Sequence, residues 1–284
     1  MKEPDTGGFA AVASDLSVDY PAHGVSPANR ALDGVSFSLP EGGALGIVGS
    51  SGSGKSTLLR VLSGRHLAGK ASDSRPVIGG GDATVLGRQL RKIGKKELRR
   101  LTFDVSFLPQ EAGTLLTPDL TVTELISEPI LIRDRKYSQK ALGVRVATLL
   151  DAVQMPLASL DKYPYELSGG QRQRIAIARA LVLGPKLFIA DEPTAGIDIT
   201  VRHTVTNLLA GVQREGGSII VVTHDLGMLR EVTQNVLALH QSRVVGLGPI
   251  DSLLADPPHE FLAALAQSGG TETQYETPEA VGTD

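Results

Sequence analysis

The run Gly49-Ser50-Ser51-Gly52-Ser53-Gly54-Lys55-Ser56, with Thr57 behind it, fits the pattern G-x-x-x-x-G-K-[ST]. Each residue type has a chemical reason. Glycines let successive backbone N–H groups curl around an oxyanion along a path that a side chain would block. A helix opening after the loop points its positive end at the same anion. Lys55 adds a point charge suited to β- and γ-phosphates, and the Ser56 hydroxyl is an oxygen ligand suited to Mg²⁺. A flexible Gly-Ser loop with a stray lysine would need no particular flanks. Here the apolar run Ala44 to Val48 precedes the loop and an apolar helical pattern, Ser56 to Leu62, follows it.

Two further groups carry chemistry. Leu187-Phe188-Ile189-Ala190 is an apolar strand pattern that ends in Asp191 and Glu192. A carboxylate at such a strand end holds Mg²⁺ in phosphoryl-transfer enzymes, which suits Asp191. Glu192, one residue on, can serve as general base for an attacking water. Taken alone, Asp191-Glu192-Pro193 reads equally well as a charged turn. Leu167-Ser168-Gly169-Gly170-Gln171 sets two glycines at a helix start, the anion-binding device of the first loop repeated. Ser168 can donate to a γ-phosphate. One chain holds one triphosphate cradle, so this second contact points to a site shared between two chains. By itself Ser-Gly-Gly is also an ordinary entry into a helix.

The elements that must position these groups follow from periodicity. Residues 1–14 read as a flexible leader. Asp15 to Tyr20 and Gly34 to Leu39 alternate as strands, and residues 64–82 read as a surface loop. The middle is helical: Thr121-Val122-Thr123-Glu124 is a capping box, and Ser138 caps a helix carrying Leu142, Val146, Leu149, Leu150 and Val153. A helix runs from Gly170 to about Leu183. Strand–helix alternation then resumes with a strand at Lys186 to Ala190, a helix capped by Thr200 and stopped by Gly216-Gly217, and a strand at Ser218 to Thr223. A hairpin spans Val236 to Gly246, a helix spans Glu260 to Gln267, and a disordered tail begins at Ser268.

Composition removes several functions. The 28 basic and 31 acidic residues give a net charge of −3, without the clustered excess of cations that nucleic acid requires. Aromatic residues are 4% of the chain, which weakens a base-stacking reading. There is no cysteine, so disulfides, iron–sulfur clusters and thiolate zinc sites are excluded. No apolar run reaches the roughly 18 residues of a membrane span, so the chain reads as soluble and cytoplasmic.

Taken together and in order, these motifs resemble those of ATP-binding subunits of ABC transporters, over about residues 10–265. Gly49 to Thr57 is similar to that family's Walker A loop, Leu187 to Glu192 to Walker B, and Leu167 to Gln171 matches its LSGGQ signature without change. The resemblance implies an α/β fold: a P-loop NTPase (RecA-like) core with an antiparallel β subdomain and an α-helical subdomain, about residues 111–180, inserted in an ATPase domain of residues 15–267. It implies ATP and Mg²⁺ as cofactors. It makes Gln110 a sensor of the γ-phosphate and Mg²⁺ that faces the membrane subunit, and His224 a γ-phosphate partner that orients the nucleotide for Glu192. Asp198 becomes the charged member of the D-loop, and Tyr20 the aromatic stacked on adenine. Arg172, Arg174 and Arg179 read as structural. Two departures stand out: Ala195-Gly196 replaces the usual Ser-Ala of the D-loop, and Glu111-Ala112 replaces the usual Asp-Pro after the glutamine.

The segments Leu120 to Ile132, Leu160 to Glu166 and Asp256-Pro257-Pro258-His259 resemble the oligopeptide, dipeptide and nickel importer branch. That implies a second ATPase subunit, identical or different, bound head-to-tail. It also implies integral permease subunits, an extracytoplasmic solute-binding protein acting indirectly, and a place on the cytoplasmic face of the membrane. The other readings are a DNA-repair or ribosome-associated ATPase of the same family, a nickel importer subunit, or a nucleotide-binding module without turnover. Repair types carry long coiled coils before the signature, whereas 57 positions (167 − 110) separate Gln110 from Leu167.

Overall fold

The computed structural model describes residues 8–22, 27–67 and 75–267, without the side chains of residues 199 and 200. The expected tail from Ser268 lies outside the described residues. Two sheets organise the chain. Strands β1 (Phe9–Tyr20), β2 (Asn29–Pro40), β4 (Val77–Val85) and β5 (Arg88–Gln89) form an antiparallel sheet in the order β2-β1-β4-β5. Strands β3 (Ala44–Gly49), β6 (Val105–Leu108), β7 (Leu187–Asp191), β8 (Ser218–Val222), β9 (Asn235–His240) and β10 (Arg243–Pro249) form the second, in the order β10-β9-β3-β8-β7-β6. All neighbours in it run parallel except β10, which folds back on β9.

The parallel strands read as continuous apolar runs because both faces are covered. Successive side chains of β7 divide between two cores: Phe188 and Ala190 join the helical side, and Leu187 and Ile189 join the side of the antiparallel sheet. Ile219 and Val221 separate from Ile220 and Val222 in the same way on β8. Helix α1 (Lys55–Leu62) lies in the second core, where Leu58, Leu59, Val61 and Leu62 are fully buried. The helix behind the phosphate loop is thus clamped between two sheets, which fixes where its N-terminus points.

Helices α2 (Lys95–Asp104), α3 (Val122–Arg133), α4 (Gln139–Ala152), α5 (Gly169–Leu181), α6 (Ile199–Arg214), α7 (Leu226–Val232), α8 (Ile250–Ala255) and α9 (Glu260–Gln267) complete the described elements. Between β6 and β7 the described chain forms helices joined by turns and no strand, with α3 and α4 packed around α5 through Ile126, Ile130, Leu142, Val146 and Ile175. The Thr121 capping box and the Ser138 cap form as the residue types require.

Several expectations need correction. Phe9 to Ser14 are not leader: they begin β1, where Ala10, Ala11 and Ala13 are buried against β2 and β4. Small residues at these positions hide the alternation that marks a strand. Residues 77–82 are not loop but β4, where Gly79 and Gly80 replace side chains that would strike Asp19 and Ser17 of β1. Helix α6 begins at Ile199, so Thr200 lies inside it rather than capping it. Helices α2 and α7 stand where the sequence reading placed no element; Asp225 caps α7 by accepting from Met228 N.

Candidate nucleotide site

The carboxyl edge of the parallel sheet gathers the predicted residues. Strand β3 ends at Gly49 and delivers the chain into the loop; Gly54 sits at the cap of α1 with φ of 100°. That angle excludes most side chains, and a Cβ there would also overlap the Ala31 carbonyl oxygen of β2. Lys55 Nζ donates to the carbonyls of Gly49 and Ser50, the latter at 2.8 Å, which places the ammonium at the start of the loop. Ser51 and Gly52 are exposed, whereas Ser53 and Thr57 are buried. The Tyr20 hydroxyl lies 3.3 Å from Thr57 Oγ1, so the end of β1 reaches the same loop.

Strand β7 brings the carboxylates. Asp191 is buried, and its Oδ2 accepts from Ser56 Oγ at 2.7 Å, joining residues 135 positions apart. The register pairs Asp191 with Val222 of β8, so the ends of the two strands lie side by side. Glu192 N donates to Val222 O at 2.9 Å, and its Oε1 lies 3.1 Å from His224 Nε2. Leu108 of β6 pairs with Ala190, which brings exposed Gln110 out at the same edge. Both exits use a left-handed residue that is not glycine: Glu111 at φ 53° and Glu192 at φ 49°. Such conformations cost of order 1–3 kcal/mol and persist where surrounding structure overrules them.

The signature residues stand apart. Ser168 caps α5, its Oγ accepting from Gln171 N at 3.2 Å while Gln171 Oε1 accepts from Ser168 N at 2.8 Å. The two glycines differ. A Cβ on Gly169 would meet nothing within 4 Å, whereas one on Gly170 would lie 3.0 Å from the Gly196 carbonyl oxygen. Gly170 is therefore packed on the loop Ala195-Gly196-Ile197-Asp198, and Ser168 and Gly169 are exposed. Asp198 is exposed ahead of α6. The arginines of α5, expected as structural salt-bridge partners, reach backbone carbonyls at Arg172 and Arg174 and a carboxylate at Arg179. Arg172 reaches Leu167 O at 2.7 Å, Arg174 reaches Gln154 O at 2.7 Å, and Arg179 pairs with Glu128.

Sequence reasoning missed Gln173. Its buried amide accepts from Gly113 N at 2.9 Å and donates to Pro193 O at 3.3 Å, tying the turn after Gln110 to the turn after Glu192. Only its place inside an apolar helical stripe could have marked it.

The arrangement is a phosphate cradle with an oxygen ligand pair and a carboxylate–imidazole pair beside it. The sequence matches the ABC transporter family over residues 32–195, more than half of the chain. The chain belongs to the ABC transporter family. Among similar ABC proteins, the oligopeptide transport ATP-binding protein OppF of Escherichia coli (strain K12) is 38% identical over 237 residues, 83% of this chain and 68% of that protein. OppF of Lactococcus lactis subsp. lactis is 34% identical over 260 residues, 88% of this chain and 77% of that one. Among solved ABC structures, the ATP-binding cassette MJ0796, a dimer bound to ADP and Pi, superposes with a TM-score of 0.74 at 27% identity. The superposition covers 84% of this chain and 98% of that one. Among the described residues, no ABC helix here is long and apolar enough to cross a membrane.

Proposed function

We propose that this chain is the ATP-hydrolysing subunit of a membrane importer for oligopeptides or related solutes, acting as half of a head-to-tail pair. The observation that carries the reading is the edge at which Lys55, Ser56, Asp191, Glu192 and His224 converge, in a chain 38% identical to an oligopeptide transport ATP-binding protein.

The backbone N–H groups of Ser51 to Ser56 and the Lys55 ammonium bind the β- and γ-phosphates of ATP. Ser56 and Asp191 fit a Mg²⁺ ion: a hydroxyl and a buried carboxylate already meet, and oxygen donors are what that ion takes. Gln110 stands at the same edge as a further oxygen donor. When bound, the ion neutralises charge on the phosphates. Glu192 accepts the proton of the attacking water, and His224, 3.1 Å from it, holds that carboxylate in place and hydrogen-bonds the γ-phosphate. Tyr20, beside Thr57, supports the adenine. In the pair, the exposed Ser168 and Gly169 of one chain close on the γ-phosphate of the other, with Asp198 and the Gly170 contact shaping the approach. Catalysis is then positioning and charge neutralisation.

The chain works peripherally at the cytoplasmic face of the membrane, through permease subunits. Exposed Leu115, five residues after Gln110, and exposed Ile132 of α3 offer apolar contacts on the helical side. A net charge of −3 argues against a nucleic-acid partner. Pull-down of the chain from detergent-solubilised membranes tests the assignment. Integral permease subunits and peptide-stimulated ATPase activity are expected. Recovery with ribosomes or DNA, without membrane subunits, overturns it.

A further inference from the structure

A second group of metal-binding side chains lies at the back of the phosphate loop. His240 ends β9, and the register that pairs Gly49 with Leu239 sets it beside Ser50. Ser50 Oγ and His240 Nδ1 are 3.1 Å apart. His259 and Glu260 arrive from the turn that opens α9. One donor atom from each of His240, His259 and Glu260 lies within 4.8 Å of the other two. The two imidazoles are tilted by 49° with centroids 5.1 Å apart, and Phe261 stacks on His240 at 5.6 Å. Both histidines are half-buried and Glu260 is exposed. Among the described residues no other such group of three donors occurs.

We propose that His240, His259 and Glu260 form a site for a divalent transition ion of the zinc class, separate from the Mg-ATP site. Two imidazoles and a carboxylate are the donor set such ions select, whereas Mg²⁺ and Ca²⁺ prefer all-oxygen sites. Tetrahedral zinc with bonds of about 2.0–2.1 Å sets its ligand atoms roughly 3.4 Å apart. Closing from 4.8 Å or less is a side-chain adjustment, and exposed Glu260 can make it by rotation. His240 has the outer partner that a metal-bound histidine needs. With Nδ1–H donating to Ser50 Oγ, its Nε2 lone pair is left for the ion. His259 Nδ1 accepts from Phe261 N at 3.1 Å, so coordination through that ring costs at most one hydrogen bond. Once bound, the ion ties α9 to His240 and, through Ser50, to the loop that holds the nucleotide.

The test is titration of the full chain with Zn²⁺ alone against a competing zinc-sensing dye, with no nucleotide present. One zinc per chain is expected. His259→Ala and Glu260→Gln should each weaken binding by at least ~10-fold, as loss of a ligand requires. His203→Ala, on exposed α6, should not. Co²⁺ in place of Zn²⁺ should give the visible spectrum of a tetrahedral N/O site, lost in His259→Ala. Zn²⁺ should raise the thermal midpoint of the parent chain and leave that of His259→Ala unmoved. Neither His259 nor Glu260 serves the nucleotide, so both variants should retain ATP binding. Zinc binding of equal strength in the parent and in both ligand variants overturns the proposal, as does the absence of stoichiometric binding.

Discussion

Ser56 Oγ donates a 2.7 Å hydrogen bond to Asp191 Oδ2, linking the first turn of α1 to the end of β7. The two residues lie on either side of the helical insertion, 135 positions apart in sequence. The bond exists because α1 is clamped between sheets and β7 runs parallel to β8, which lies beside β3. The same edge holds Glu192 against His224, and predictions about turnover start there.

Glu192→Gln removes the proton acceptor and keeps the shape. Hydrolysis should fall by at least ~100-fold, the scale of a lost general base, while ATP binding persists. The variant should accumulate as an ATP-dependent dimer. Phosphate release and size-exclusion chromatography measure both, and near-normal turnover would remove Glu192 from the role.

Lys55→Ala takes away the ammonium held at the loop, and ATP binding and hydrolysis should fail together. Tyr20 separates into ring and hydroxyl. Tyr20→Ala should weaken ATP binding by about 1–3 kcal/mol if a base stacks there, and Tyr20→Phe should lose little, since only the contact with Thr57 goes. Equal affinity for ATP in all three Tyr20 forms would place the adenine elsewhere.

The two signature glycines should respond oppositely. Gly170→Val presses a branched side chain onto the Gly196 carbonyl oxygen, so the isolated chain should lose stability in urea by about 1 kcal/mol or more. Gly169→Val meets open space and should leave that stability nearly intact, while ATP hydrolysis by the pair falls. Ser168→Arg should likewise spare ATP binding by the monomer and abolish closure. Mixing Ser168→Arg with Lys55→Ala chains should restore one working site per pair in a homodimer. Full activity of a strictly monomeric chain would overturn the shared site.

His66 supplies the pH dependence. It is 5% exposed, and burial lowers its pKa below the ordinary value, only partly offset by the carbonyls of Arg60 and Val61. The folded state therefore disfavours the charged ring. This stability is fully present above the unfolded pKa of about 6.5 and is lost as pH falls below it, because the unfolded chain binds the extra proton first. Urea midpoints at pH 7.5 and 5.5 should differ less in His66→Gln than in the parent. An equal drop in both would assign the effect to other groups.

Much of the site was legible without coordinates. The phosphate loop, Asp191-Glu192 and the LSGGQ run are local patterns whose residue types follow from what backbone N–H groups, carboxylates and helix starts can do. The capping box at Thr121 is equally local, since both partners lie within one turn. The strand at Phe9 to Ser14 was not legible, because its alanines are buried by β2 and β4, and their size matters only once those strands pair. The division of labour between Gly169 and Gly170 was not legible either; two identical residues differ only in what the fold sets against them. Gln173 and His240 belong with them. Each is an ordinary polar residue in sequence. The packing of α5 puts Gln173 between Gly113 and Pro193, and the β3–β9 register puts His240 beside Ser50, where His259 also arrives; no local pattern encodes either.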